Sequence, residues 1–224
     1  MVVKHEEPLR QFVLNNISWD TYEKLLEEIG PTHYRLTYDE GDLEIMTLSF
    51  YHDNVGRWIG RLIFFVALEL QLSICSGGST TLKHSLRKKG LEPDECFWIK
   101  HEANMRGKKS WNVLTDPPPD LAVEVEISSS ALNRLGIYAA LKVPEIWRYD
   151  GDTFRVMILA PNGKYKEKGK SLAFPTLPIE DFSRFVGRLG SEEEVKLAQD
   201  FIAWLRTEIV PKKNGRAGRK NGRR

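Results

Sequence analysis

The segment PPPDLAVEVEISSS, residues 117–130, constrains the fold more than any other stretch of the chain. Ala122, Val123, Val125 and Ile127 read as a buried strand, yet Glu124 and Glu126 lie among them. Side chains alternate across a strand, so both glutamates face the same side, about 7 Å apart at their Cα atoms. Burying an unpaired carboxylate is costly, and a like charge beside it raises the cost. Two arrangements relieve it: an edge strand whose polar face meets solvent, or a hard divalent cation between the carboxylates. Mg²⁺ suits the second, because it prefers carboxylate oxygens completed by water.

A second acidic point lies upstream. LEPDECFWI places Asp94 and Glu95 where a turn hands over to an apolar strand, and the residue before a proline is biased to extended backbone. An acid at a strand end, beside a strand carrying a glutamate, is the arrangement of a carboxylate metal site. Asp120 shares the face of Glu124 but lies about 13 Å away along the strand, so it reads first as turn chemistry.

Around these points the pattern predicts a mixed α/β or α+β domain built on one central sheet flanked by helices. SWDTYEKLLEEIG reads as a helix capped by Ser18 and stopped at Gly30. YRLTYDEGDLEIMT reads as a hairpin turning at Asp39-Glu40-Gly41. A long helix is expected from Asp53 to Leu72; beyond Leu62 it is apolar almost all round, which implies deep burial within the chain or, less simply, a partner subunit. A short helix over Asn133–Leu141, a strand PEIWRYDG and a hairpin at Asn162-Gly163 follow. The last helix, 191–210, is expected to be capped by Ser191. Residues 1–17 read as a poorly defined lead-in, 18–210 as a single domain and 211–224 as a disordered basic tail.

That tail, PKKNGRAGRKNGRR, changes the meaning of the overall charge. It holds seven of the 33 Lys and Arg, so 26 basic residues face 31 acidic ones in the rest of the chain, a net charge of −5. Lys212, Lys213, Arg216 and Arg219 suit sequence-independent attraction to nucleic-acid phosphates, although a solubilising terminus is the plain alternative. Cys75 and Cys96 have no metal-type or disulfide spacing, and the N-terminus has no signal-peptide pattern, which together predict a reduced, cytoplasmic setting. The longest apolar run, Leu62–Leu68, is too short to span a membrane. GGST after Cys75 lacks the following Gly-Lys-Ser/Thr of a phosphate loop and is a glycine turn. Trp98, Trp147 and Tyr149 lie on apolar strands and read as core.

Four stretches, in this order, carry a resemblance: GDLEIMTLSFYHDNVGRWIGRLI, SGGSTTL followed by GLEPDECFWI, PPDLAVEVEISSS and NRLGIYAALKVPEIWRYDG. Over residues 18–185 the chain resembles the restriction endonuclease domain proteins of the Uma-two type, a branch of the PD-(D/E)XK nuclease superfamily. The resemblance implies a restriction-endonuclease-like core and a Mg²⁺ or Mn²⁺ site that hydrolyses phosphodiesters, with DNA as substrate and RNA as the other polynucleotide. It puts the first aspartate on Asp94 and the strand acid on Glu124, with a backbone carbonyl near Val125 as a further ligand. Glu126 stands where the superfamily has its lysine, and here implies an extra ligand or a water-positioning group. The lysine that this branch carries four residues before a tyrosine is Arg134 here, ahead of Tyr138. The His-Glu of the N-terminal helix reads His52-Asp53, with Asp53 an outer acid; His52 reads as a donor to phosphate or a group that orients Asp53, although a lone histidine at a helix start is more often a cap or a structural hydrogen bond. Arginine can steady a phosphate but stays protonated, so it cannot act as a base. Two other classes use the same residues: a catalytically faded nucleic-acid-binding protein on this scaffold, and an oligomeric scaffold, such as a homodimer, joined through Leu62–Leu68.

Overall fold

The structure, a computed structural model, describes residues 11–30, 34–126 and 130–211. Eleven strands form two sheets rather than the one expected. The first sheet, in the order β1-β3-β2-β6-β5, contains β1 (Gln11–Leu14), β2 (Tyr34–Asp39), β3 (Asp42–Thr47), β5 (Leu82–His84) and β6 (Lys89–Leu91). The second, in the order β11-β10-β9-β8-β7-β4, contains β4 (Cys75–Ser76), β7 (Glu95–Trp98), β8 (Leu121–Val125), β9 (Glu145–Tyr149), β10 (Phe154–Leu159) and β11 (Tyr165–Lys168). The chain passes between the sheets at Glu92-Pro93-Asp94, from β6 to β7. Pro93 has no N–H to offer a ladder, so pairing stops there and the chain rejoins the second sheet, to which β4 already belongs. All pairings are antiparallel except β8 with β9. That parallel pair needs a crossover, which α4 (Arg134–Ala140) supplies.

Helix α1 (Trp19–Ile29) starts at Ser18, whose hydroxyl accepts from the Thr21 amide, and covers the first sheet. Trp19 and Tyr22 pack on Tyr38, with the Tyr22 and Tyr38 rings stacked 4.9 Å apart. The β2–β3 turn forms where expected, with Glu40 and Gly41 at positive φ. Part of the lead-in is ordered into the sheet: β1 pairs with β3 from Gln11–Met46 to Leu14–Leu43.

Alternation along β8 divides the core. Leu121, Val123 and Val125 join α2 (Phe50–Glu69), α5 (Ile179–Gly187) and α6 (Glu194–Trp204) in the main cluster, around Trp58, Trp147, Phe182 and Phe201. Ala122 joins Leu82, Leu91, Ile137 and Ile146 on the α4 side. Helix α2 begins at Phe50 with Ser49 as its cap, three residues earlier than expected. It is not buried all round: Leu62, Ile63, Val66 and Ala67 are enclosed, whereas Phe64 and Leu68 are half exposed. Helix α5 was not foreseen. The cap of α6 is Glu193, which accepts from the Val195 and Lys196 amides, while the Ser191 hydroxyl donates to the Arg188 carbonyl. A carboxylate with two oxygens can bond two of the open amides at once, which a hydroxyl at 191 is too far back to reach.

Gly77 shows how closely the second sheet is packed. A Cβ there would lie 2.5 Å from the Trp98 ring and 2.6 Å from the Cys96 sulfur, both buried. Neither neighbour has room to retreat, so Gly77→Ala should cost about 1–3 kcal/mol. Urea denaturation checks this, and an unchanged midpoint would show that the β4–β7 edge yields freely.

Candidate active site

The crossing of the two sheets forms a cavity of about 30 Å³ lined by Arg35, Met46, His52, Glu92, Asp94, Glu124, Val125, Glu126, Ser130 and Arg134. Each wall has a distinct origin. Asp94 stands at the crossing, just before β7, and its Oδ2 accepts from the Val125 amide at 2.7 Å. Glu124 projects from β8 toward α4. Its Oε1 accepts from Arg134 Nη2 at 2.6 Å and from the Tyr138 hydroxyl. Arg134 and Tyr138 are one helical turn apart on α4, so one face of that helix serves both bonds.

Helix α2 approaches this corner closely because it presents glycine there. A Cβ on Gly56 would touch the Asp94 Cβ at 3.5 Å, and one on Gly60 would come within 3.0 Å of the Glu95 carboxyl carbon. One turn earlier, His52 Nε2 lies 2.7 Å from the Val125 carbonyl oxygen and 3.7 Å from Asp94 Oδ2. A carbonyl only accepts, so Nε2 carries the proton; Nδ1 is then an acceptor, buried and without a partner among the described residues.

Each of the two strand glutamates has its own guanidinium. Glu126 is held by Arg148 through two bonds, Nε to Oε1 at 2.5 Å and Nη2 to Oε2 at 2.6 Å. Arg148 stands opposite Glu124 in the parallel β8–β9 register, and the fork-on-carboxylate geometry is the strong form of this pair. The opening problem of like charges in an apolar strand is thus answered by two arginines.

Arg134 is committed as well. Besides Glu124, its Nη1 donates to Thr37 Oγ1 at 2.7 Å and its Nη2 to the Glu92 carbonyl at 2.8 Å, tying β2, the crossing and β8 together. Burial pushes the Glu124 pKa up and nearby Asp94 adds to this, while Arg134 pulls it back. Burial opposes the Arg134 charge, yet Glu124 and Tyr138 outweigh it and raise the Arg134 pKa. Glu44, fully buried on β3, accepts from Gln11, the Ser130 hydroxyl and the Ala131 amide, and so anchors the chain beyond Glu126 to the first sheet.

Glu95 behaves differently. Its carboxylate bonds no described residue, and burial, followed by the charge of Asp94, pushes its pKa from 4.5 up to about 7. In metal-free protein between those values the native state keeps a proton that the unfolded chain has lost. Stability is therefore full below pH 4.5 and falls as the pH rises through 7. Glu95→Gln should remove that slope and stabilise the protein at pH 8 by about 2 kcal/mol, allowing for partial solvation. Urea denaturation with chelator at pH 5 and pH 8 checks it; equal stability of both proteins at pH 8 refutes it.

Of the residues singled out in the sequence, His52, Asp94, Glu124, Glu126 and Arg134 line the cavity. Asp53 does not: it lies 3.7 Å from Arg57, its i+4 neighbour on α2. Asp120 accepts from the Ile99 and His101 amides and pairs with the His101 ring, as turn chemistry requires. Lys212, Lys213, Arg216 and Arg219 lie outside the described residues. Sequence reasoning missed Arg35, Glu92, Ser130 and Arg148. Alternation in β2 already put Arg35 and Thr37 on one face, but only the tertiary fold turns that face to the cavity.

The acids present suit a hydrated hard cation. Asp94 Oδ1 and Glu124 Oε2 accept no hydrogen bond from described residues, and repulsion between the two acids raises the Glu124 pKa. No group of three or more His, Cys, Asp or Glu among the described residues is placed to hold a metal ion. Asp94 and Glu124 make a two-carboxylate donor set of the kind that hard, oxygen-seeking cations accept.

Residues 19–185 match the family described as "Uma2: Putative restriction endonuclease". The chain belongs to this family. The Uma2 description makes it a nuclease-like protein, and its fold is mixed α+β. No curated protein matches the sequence. Among solved structures, the crystal structure of "a putative nuclease belonging to DUF820 from Anabaena variabilis ATCC 29413" is similar at 15% identity, covering 84% of this chain and 99% of that one with a TM-score of 0.45. No helix among the described residues of this Uma2 protein is long and apolar enough to cross a membrane.

Proposed function

We propose that the protein is a divalent-metal-dependent endonuclease that hydrolyses DNA phosphodiester bonds. The observation that carries this reading is the convergence of Asp94 and Glu124, from the sheet crossing and from β8, on one cavity, with one oxygen of each accepting no hydrogen bond from the described residues. These two acids would hold Mg²⁺ or Mn²⁺. A bound ion of this kind polarises a phosphate and lowers the pKa of its water. The protein's own groups supply position. The Val125 amide fixes Asp94, Tyr138 and Arg134 fix Glu124, and His52 steadies the Val125 carbonyl. Glu126 could act as a further ligand only by releasing Arg148.

One observation favours a second reading, a nucleic-acid-binding protein with faded catalysis: Arg134, at the family's lysine position, spends its Nη donors on Thr37, Glu92 and Glu124. Incubating purified protein with supercoiled, linear and single-stranded DNA, with Mg²⁺, Mn²⁺ or chelator, separates the two. Metal-dependent cutting is the expected result. Mn²⁺ binding by calorimetry and DNA binding without cutting would establish the second reading, and absence of both binding and cutting would remove either one.

A further inference from the structure

The phosphate of a substrate needs a cation, and Arg134 is already engaged on three protein oxygens. Arg148 is likewise closed in a two-bond fork on Glu126. Arg35 is the contrast. It lies on β2, where alternation puts it on the same face as Thr37, the residue that receives Arg134. It lines the cavity together with Asp94 and Glu124. Its side chain forms no hydrogen bond or ion pair with any described residue; its Nε, like that of Arg134, is buried without a partner among them, but its Nη groups are unspent as well. Burial raises the pKa values of Glu92 and Glu95, and the Arg35 charge pulls both partly back without bonding either.

A buried donor without an acceptor is costly to keep, and a guanidinium offers a planar fork that matches two oxygens of a phosphate. Unspent donors beside a pair of ion-binding acids form the complement of a phosphodiester bridging cation and arginine. We propose that Arg35 is the phosphate-binding residue of this site, contacting the non-bridging oxygens of the DNA phosphate, while Arg134 serves to hold Glu124. This rests on the nuclease reading above. It assigns the substrate contact to the first sheet and the ion-binding acids to the crossing and the second sheet, so DNA would be gripped across the junction between them.

The test is binding of a fluorescein-labelled DNA duplex in Ca²⁺, followed by anisotropy across a series of KCl concentrations. Arg35→Met should weaken binding about tenfold and reduce the slope of log K against log[salt] by about one, the signature of one lost phosphate contact. Arg35→Lys should restore the slope but not the full affinity, because a point charge replaces the fork. Unchanged affinity and slope in Arg35→Met would overturn the assignment. So would weaker binding with an unchanged slope and a lowered melting temperature, since that is the mark of a structural role. Should the wild-type protein bind neither duplex nor single-stranded DNA, the nuclease reading itself falls, and the inference with it.

Discussion

Asp94→Asn should reduce metal-dependent cleavage by a factor on the order of 10³, about 4 kcal/mol of transition-state stabilisation, while the protein stays folded. The substitution separates the two things Asp94 does. Its Oδ2 accepts from the Val125 amide, and the amide oxygen of asparagine can accept the same bond. What is lost is the charge, on which a hard cation depends. Because Asp94 also raises the pKa of Glu124, removing that charge relieves repulsion, and the melting temperature should hold or rise slightly. Plasmid cleavage, Mn²⁺ calorimetry and thermal unfolding read the three effects. Cleavage within about tenfold of wild type would show that Asp94 is a turn residue and not a ligand.

Arg134→Met should have the largest effect on stability, about 3–5 kcal/mol, because it strands a buried carboxylate. Glu124 would keep only the Tyr138 hydroxyl, and the Thr37 hydroxyl and Glu92 carbonyl would lose their donor. Since Arg134 lowers the Glu124 pKa, the variant's Glu124 should bind a proton more readily. The deficit should therefore shrink as the pH falls and Glu124 becomes neutral. Arg134→Met combined with Glu124→Leu should recover part of the loss, as replacing both partners of a buried pair commonly does. Urea denaturation of the three proteins decides it: a loss below about 1 kcal/mol in the single variant would mean the pair is screened like a surface one.

Local rules were enough for much of the fold. Ser18 capping α1, the turn at Glu40-Gly41 and the crossover helix ahead of Tyr138 lie where periodicity and turn chemistry put them. The split into two sheets was not legible locally: Pro93 breaks pairing, but a proline between short strands equally fits a turn within one sheet. Glu124 and Glu126 were recognised as a problem of buried charge, and the solution was out of reach. Arg148 pairs with Glu126 only through the parallel register of β8 and β9, 22 residues apart. Arg35 and Glu44 were invisible for the same reason: a hairpin's alternation says which residues share a face and nothing about what that face meets.

The cavity's long-distance construction also has a consequence in time. The bonds that shape it join residues far apart in the chain: Thr37 to Arg134 spans 97 positions, Glu44 to Ala131 spans 87, and His52 to Val125 spans 73. Contacts of such high sequence separation incur their loop-closure entropy before they return any stability, so they form late in folding. A chain emerging from synthesis completes β2, β3 and α2 long before Glu124 and Arg134 exist to meet them. The cavity therefore cannot close until β8 and α4 have been made, after more than half of the chain.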